Sequence, residues 1–189
     1  MSRATSQQTS HEQSPVDWSA PFDELGVGQR FRTARRAVGE TDLMVFSALT
    51  GDWHPQHSDP AWAARSPFGE RIAHGMLTVS LAVGLVPLDP DRVVALRRLG
   101  DVVFKRPVHL QESIHVAGHI AALRAIDERT GLAGFAWAVR NDQDELVCRA
   151  GVDVVWRRDA TTSTDTGQGF WHEPITSELG PDSFVPVPL

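Results

Sequence analysis

The stretch Gly75-Met76-Leu77-Thr78-Val79-Ser80-Leu81-Ala82-Val83-Gly84-Leu85-Val86-Pro87-Leu88 decides the fold of this chain. From Met76 to Leu88 it is a near-apolar run of 13 residues, relieved only by Thr78, Ser80, Gly84 and Pro87. A membrane span needs about 20 apolar residues, so the run predicts a helix buried in a protein core. Gly75 stands where that helix starts. Downstream the pattern is strands only: Arg92 to Phe104, Ser113 to Ile126, Leu132 to Asn141 and Glu145 to Arg157. Turn-forming clusters such as Asp127-Glu128-Arg129-Thr130-Gly131 and Asn141-Asp142-Gln143-Asp144 separate them. In the last strand Leu146, Cys148, Ala150, Val152, Val154 and Trp156 alternate with Val147, Arg149, Gly151, Asp153, Val155 and Arg157. One face is buried and the other partly polar, as in an antiparallel sheet packed on a helix. The order predicts an α+β fold in which a long antiparallel sheet curls round a central helix.

Working back from Gly75, Gln29 to Val38 reads as a strand and Thr41 to Leu49 as a short helix with Thr41 at its N-cap. Asp59-Pro60 has the signature of a helix start and opens Ala61 to Arg65. Between these lies Leu49-Thr50-Gly51-Asp52-Trp53-His54-Pro55-Gln56-His57-Ser58-Asp59, followed later by Ile72-Ala73-His74-Gly75-Met76. Gly51 and Pro55 prevent a continuous helix between Asp52 and His57, so an irregular turn can aim both side chains at one water. The carboxylate orients the imidazole and stabilises the imidazolium, and either group could be the formal base.

Gly75 supplies the other half of this chemistry. The first amide of a helix has no intrahelical acceptor, and the helix dipole favours negative charge there. A thioester oxygen becoming an enolate oxygen would be stabilised by it, by roughly 3 to 4 kcal/mol in the transition state. Glycine also lets a bulky acyl group approach the backbone. Metal binding is not expected: His54 and His57 with Asp52 or Asp59 complete no standard zinc spacing, and Pro55 spoils their helical presentation. His74 is expected to orient the loop or cap the helix, and His109, His115 and His119 to be structural.

Composition narrows the classes further. The chain has 189 residues and a net charge of -6, but residues 21–158 carry 17 basic and 17 acidic side chains and are formally neutral. The excess of acid lies outside that span, and no basic stripe for nucleic acid or polybasic membrane patch is evident. Cys148 is the single cysteine and reads as a buried structural thiol in a reducing compartment. Lys105 is the single lysine and tyrosine is absent, which limits Schiff-base chemistry to one position and excludes a tyrosine acid. With no signal-peptide pattern at the N-terminus, a cytoplasmic, soluble protein is expected. Residues 1–20 read as a disordered tail, 21–158 as one domain and 159–189 as an irregular tail. Within the last, Phe170, Trp171 and Phe184 to Leu189 are candidates for docking on a partner surface.

The two motifs resemble the MaoC-like, (R)-specific enoyl-CoA hydratase family, whose signature runs aromatic-x-x-Leu-Thr-Gly-Asp-x-Asn-Pro-x-His and later Ile-x-His-Gly-Met. Here it stands as Phe46, Thr50-Gly51-Asp52, Pro55 and His57, then Ile72 to Met76, with Phe104-Lys105-Arg106-Pro107-Val108 matching the family's Phe-x-x-Pro-Val strand. The resemblance implies a hot-dog fold, a helix wrapped by an antiparallel sheet, assembled as a homodimer, a higher oligomer or a double hot dog. It implies that Asp52 and His57 activate water, that Gly75 binds the thioester oxygen, and that no metal or redox cofactor takes part. Three departures stand out. The usual Asn is His54, placed to help hold the water or the substrate; a helix serine of many members falls at Val83, with Ser80 one turn earlier; and Gln111-Glu112-Ser113 replaces a Gly-Asp-Thr turn.

The function implied is a hydro-lyase adding or removing water across the 2,3 double bond of an acyl-CoA or acyl-carrier-protein thioester. A hot-dog thioesterase and a non-catalytic partner subunit of a heteromeric hydratase are the alternatives. Val79, Val83 and Trp62 are candidates to set pocket depth. Arg97, Arg98, Lys105 and Arg106 are candidates to meet CoA phosphates, against the commoner role of solvated strand charges.

Overall fold

The computed structural model describes residues 14–158. Strands β1 (Arg30–Arg32) and β2 (Arg36–Ala37) precede helices α1 (Glu40–Thr50), α2 (Pro55–Ser58), α3 (Pro60–Ala63) and α4 (Gly75–Leu85). Four long strands follow: β3 (Val93–Phe104), β4 (Ser113–Ala125), β5 (Thr130–Arg140) and β6 (Leu146–Arg157). The sheet runs β1-β4-β5-β6-β3, all neighbours antiparallel, with β2 also on β4. This is the hot-dog arrangement: Leu77, Val79 and Ala82 of α4 share one core with Val116, Ile120, Phe135, Val152 and Val154 of the sheet. Register shifts in β3 between Gly100 and Val103, and in β4 between Ile120 and Ala122, mark irregularities that let the sheet bend round the helix.

Local chemistry explains the boundaries. Val86 before Pro87 adopts φ -74° and ψ 127°, the extended backbone that a following proline enforces, so α4 stops at Leu85. The turn into β5 is built on Asp127, whose Oδ1 accepts from the backbone amides of Arg129 at 2.8 Å and Thr130 at 2.7 Å. The segment expected as one strand from Gln29 to Val38 is two: at Thr33 the backbone N–H reaches the Val116 carbonyl and Oγ1 accepts the Val116 amide, which replaces regular pairing. The α1 cap differs too. Gly39, not Thr41, is the N-cap, because the Asp42 carboxylate reaches back to the Gly39 amide at 2.9 Å while held by Arg36 at 2.7 Å.

Two expectations need correction. The packed chain begins before Ala20: Val16 and Ala20 are buried, Trp18 stacks on Phe135 with ring centroids 5.7 Å apart, and Trp156 Nε1 donates to the Ala20 carbonyl at 2.9 Å. The aromatic content of that segment was hidden by its polar surroundings. Nor is α4 covered on every side, for Met76, Ser80 and Gly84 form an exposed stripe one turn apart, with Met76 53% exposed. The sheet wraps one face of the helix. Residues 1–13 and the C-terminal segment from 159, with its docking candidates, lie outside the described residues.

Candidate active site

Gly51 ends α1 in the left-handed region at φ 78°, which a side chain would strain, and its N–H closes on the Ser47 carbonyl at 2.8 Å. The chain then turns sharply. Asp52 Oδ1 accepts the His54 amide at 3.2 Å, and His54 in turn caps α2, its Nδ1 accepting the Gln56 amide at 3.3 Å. The histidine that replaces the family's asparagine therefore does the capping work of an asparagine. It is exposed, meets Trp62 edge-on at 5.4 Å, and is not among the side chains lining the cavity described below. Sequence reasoning anticipated no helix here, because one turn between Pro55 and Ser58 is too short to leave a periodicity.

His57 sits inside that turn and is 4% exposed. Its Nδ1 lies 2.7 Å from the Ile72 carbonyl oxygen. A carbonyl can only accept, so Nδ1 carries the hydrogen and Nε2 of the neutral ring is left as an acceptor. Burial pushes the His57 pKa below the ordinary histidine value; the Ile72 bond and Asp52 oppose that shift, and His74 and His54 add to it. A buried, neutral imidazole with one nitrogen that carries no hydrogen is the form a proton acceptor requires.

His74 packs against His57 with ring centroids 3.7 Å apart and an interplanar angle of 25°. Its Nε2 donates to the Asp52 carbonyl oxygen at 3.1 Å, with the Ser47 hydroxyl also 3.1 Å away. The residue thus ties the α1 helix, the Asp52 turn and the start of α4 together. Ser47 is buried and is not part of the cavity wall, so its hydroxyl anchors His74. Sequence reasoning missed Ser47; the available signal was a serine one turn from Leu43 on the buried side of α1.

Donor atoms of Asp52, His57 and His74 lie within 4.8 Å of one another. Both His57 nitrogens and the His74 Nε2 are engaged by protein groups, while His74 Nδ1 is buried without a hydrogen-bond partner. The cluster opens on a cavity of about 660 Å³ lined by Asp52, Gln56, His57, His74 and Gly75, with Phe46, Phe104, Lys105, Val108 and Val147 among its other walls. Arg106 also reaches it, while Arg97, Arg98, Val79, Val83 and Trp62 do not.

Gly75 opens α4 at the cavity wall, as expected, but the space beside it is taken. A Cβ there would stand 2.7 Å from the Phe104 ring. The missing side chain makes room for Phe104, which is 47% exposed and lines the cavity together with Gly75. Phe104 was legible as part of a strand motif, but its contact with Gly75 joins positions 29 residues apart and has no local signal.

The sequence model described as MaoC like domain matches residues 24–134, more than half of the chain. The (R)-specific enoyl-CoA hydratase of Aeromonas caviae is 35% identical over 100 residues, 53% of this chain and 74% of that one. Protein MaoC of Klebsiella aerogenes is 36% identical over 96 residues, which span 50% of this chain and only 29% of the relative. Among solved structures, the unliganded R-hydratase PhaJ1 of Pseudomonas aeruginosa superposes with a TM-score of 0.62 at 30% identity, over 74% of this chain and 86% of that one. A Mycobacterium tuberculosis protein with a double hotdog fold gives a TM-score of 0.67 over 92% of this chain and 54% of its own; at 21% identity it shows the fold alone. With the turn, the helix start and the sheet all in the places these motifs require, this chain belongs to the MaoC-like domain family.

Proposed function

We propose that this chain is a hydro-lyase acting on an enoyl thioester carried by CoA or an acyl-carrier protein, with the packed residues 14–158 as the working unit. The observation that carries the reading is the His57 hydrogen bond to Ile72, which leaves Nε2 without a hydrogen, close to Asp52, at a cavity that Gly75 also lines. In the hydration direction a water O–H bond breaks, and the proton passes to His57 or Asp52. The oxygen's electron pair forms the bond to C3, the C2–C3 π pair moves to C1–C2, and the carbonyl π pair moves onto oxygen, where Gly75 stabilises it. Collapse of the enolate then takes a proton at C2. Only protons and electron pairs move, so this reading calls for no metal or redox cofactor.

The named relatives support the substrate class: besides the hydratase above, a 3-hydroxybutyryl-CoA dehydratase of Methylorubrum extorquens is 32% identical over 115 residues. Lys105, exposed at the cavity wall, is placed to meet an anionic carrier group. We assign a homodimer or higher homo-oligomer. In its support, the 12-residue strand β3 ends the sheet and pairs only with β6 among the described residues, leaving a long edge for a second copy. No helix among the described residues is long and apolar enough to cross a membrane, and a cytoplasmic location is part of the proposal.

The test is loss of enoyl-thioester absorbance with crotonyl-CoA and longer enoyl-CoAs, with free thiol followed in the same cuvette. Absorbance loss without thiol supports the hydro-lyase. Thiol release would move the assignment to a thioesterase, and silence in both channels with CoA and carrier-bound substrates would leave a partner subunit.

A further inference from the structure

Gln56 stands at the variable position of the motif, between Pro55 and His57. Its backbone is tied on both sides: the N–H donates to His54 Nδ1 at 3.3 Å, and the carbonyl accepts the Ile72 amide at 3.2 Å. The same Ile72 accepts the His57 Nδ1 hydrogen, so the single turn α2 is clamped to that backbone. The orientation of the Gln56 side chain follows from that clamp. Its Nε2 lies 3.0 Å from His57 Nε2. Since Nδ1 already carries the ring hydrogen, His57 Nε2 accepts and the Gln56 amide nitrogen donates. The one nitrogen of His57 free to take a proton is thus held by a side chain that also lines the cavity.

This contact changes sense when the proton moves. A protonated Nε2 is a donor, and it then needs an oxygen opposite it. Gln56 carries one on the same planar group, and the terminal torsion of glutamine is soft enough for a half-turn to present it. The other groups facing His57 are Asp52, His54 and the stacked His74; of these only Asp52 favours the imidazolium. An apolar residue at 56 would leave Nε2 without either partner.

We propose that Gln56 is a positioning residue for the proton-accepting step: its amide holds neutral His57 by donating to Nε2, and it turns over to accept from Nε2 once His57 is charged. This rests on the assignment of His57 as a base. The experiment compares Gln56→Leu, which can neither donate nor accept, with Gln56→Glu, which can only accept. Gln56→Leu is expected to lower kcat about tenfold with KM changed by less than about twofold. Gln56→Glu is expected to move the acid limb of kcat/KM up by about one pH unit and to recover rate above it.

In the substrate-free protein, a nitrogen-detected NMR titration of the His57 ring should show the same upward shift in Gln56→Glu. Wild-type kcat and pH profile in both variants, with folding intact by circular dichroism, would overturn the proposal. So would an unshifted His57 titration in Gln56→Glu, which needs neither substrate nor the leucine variant. If the wild type hydrates no enoyl thioester, the functional reading falls first. The titration then still decides whether Gln56 governs His57.

Discussion

The two ends of the concave sheet face are closed by opposite means. At the end where β6 finishes, Trp156, Phe135, Trp18 and Phe31 fill the space ring on ring, with Trp18 and Trp156 centroids 5.9 Å apart and Trp156 fully buried. At the end where β6 begins, Val147 borders a cavity whose other walls include Asp52, His57, His74 and the start of α4. The aromatic end is held by area removed from water, each large side chain contributing on the order of 2 kcal/mol or more. The cavity end is held by directed bonds to backbone carbonyls, Ile72 for His57 and Asp52 for His74. The aromatic end is thus held by ring packing, and at the cavity end a few hydrogen bonds orient the two histidines and also choose their tautomers.

This contrast breaks most sharply under substitutions at the cavity end. Asp52→Asn and His57→Ala are each expected to lower kcat/KM by about a thousandfold or more, roughly 4 kcal/mol of transition-state stabilisation, with the urea midpoint little moved in Asp52→Asn and lowered in His57→Ala by the loss of one buried hydrogen bond, about 1 to 3 kcal/mol. Comparable loss of stability in either variant would show that the site is itself part of the core. At the other end Trp156→Ala should cost about 3 to 5 kcal/mol in denaturant unfolding, with kcat/KM retained in the fraction that stays folded. Activity lost at a temperature where the fold persists would refute the separation of the two ends.

Phe104 sharpens the comparison, because it is an aromatic at the cavity end. Phe104→Ala removes a half-exposed ring against Gly75, so about 1 kcal/mol of apolar contact is at stake. The expected result is a KM shift of about fivefold with kcat little changed; a large fall in kcat instead would place the ring in the reacting geometry. The smallest effect is in pH. Burial lowers the pKa of His57, His115 and His119 from 6.5. Below that value the unfolded chain binds more protons than the folded one, so stability is full above about pH 6.5 and declines as pH falls through it. Urea midpoints at pH 7.5 and 5.5 check the sign; a constant or higher midpoint at 5.5 contradicts it.

Most of the sheet was legible because a strand announces itself by alternation. Leu146 to Trp156 predicted β6 almost to the residue, and Cys148 within it is a buried thiol whose pKa burial pushes up to about 11. The cap at Asp59 was legible for a similar reason: one side chain satisfies the adjacent amides of Ala61 at 2.8 Å and Trp62 at 3.0 Å. The Asp52, His57 and Gly75 set was visible as a motif, and the turn around it was not. That His54 caps α2 was not legible, and Trp18 looked like tail and packs in the core. In each case the deciding partner is remote or the element is a single turn.

The sequence by itself determined the four long strands β3 to β6 and their buried faces, the apolar helix and the candidate site side chains, because these depend on local periodicity and on chemistry carried by the residue. Only the tertiary structure decided which nitrogen of His57 carries the hydrogen, that Gln56 meets the other, that Ser47 and Asp52 orient His74, and that Phe104 fills the space beside Gly75. Those facts depend on where a backbone carbonyl or a ring arrives from another part of the chain. A hydrogen bond about 3 Å long is decided by that arrival, and nothing within one turn of the residue encodes it.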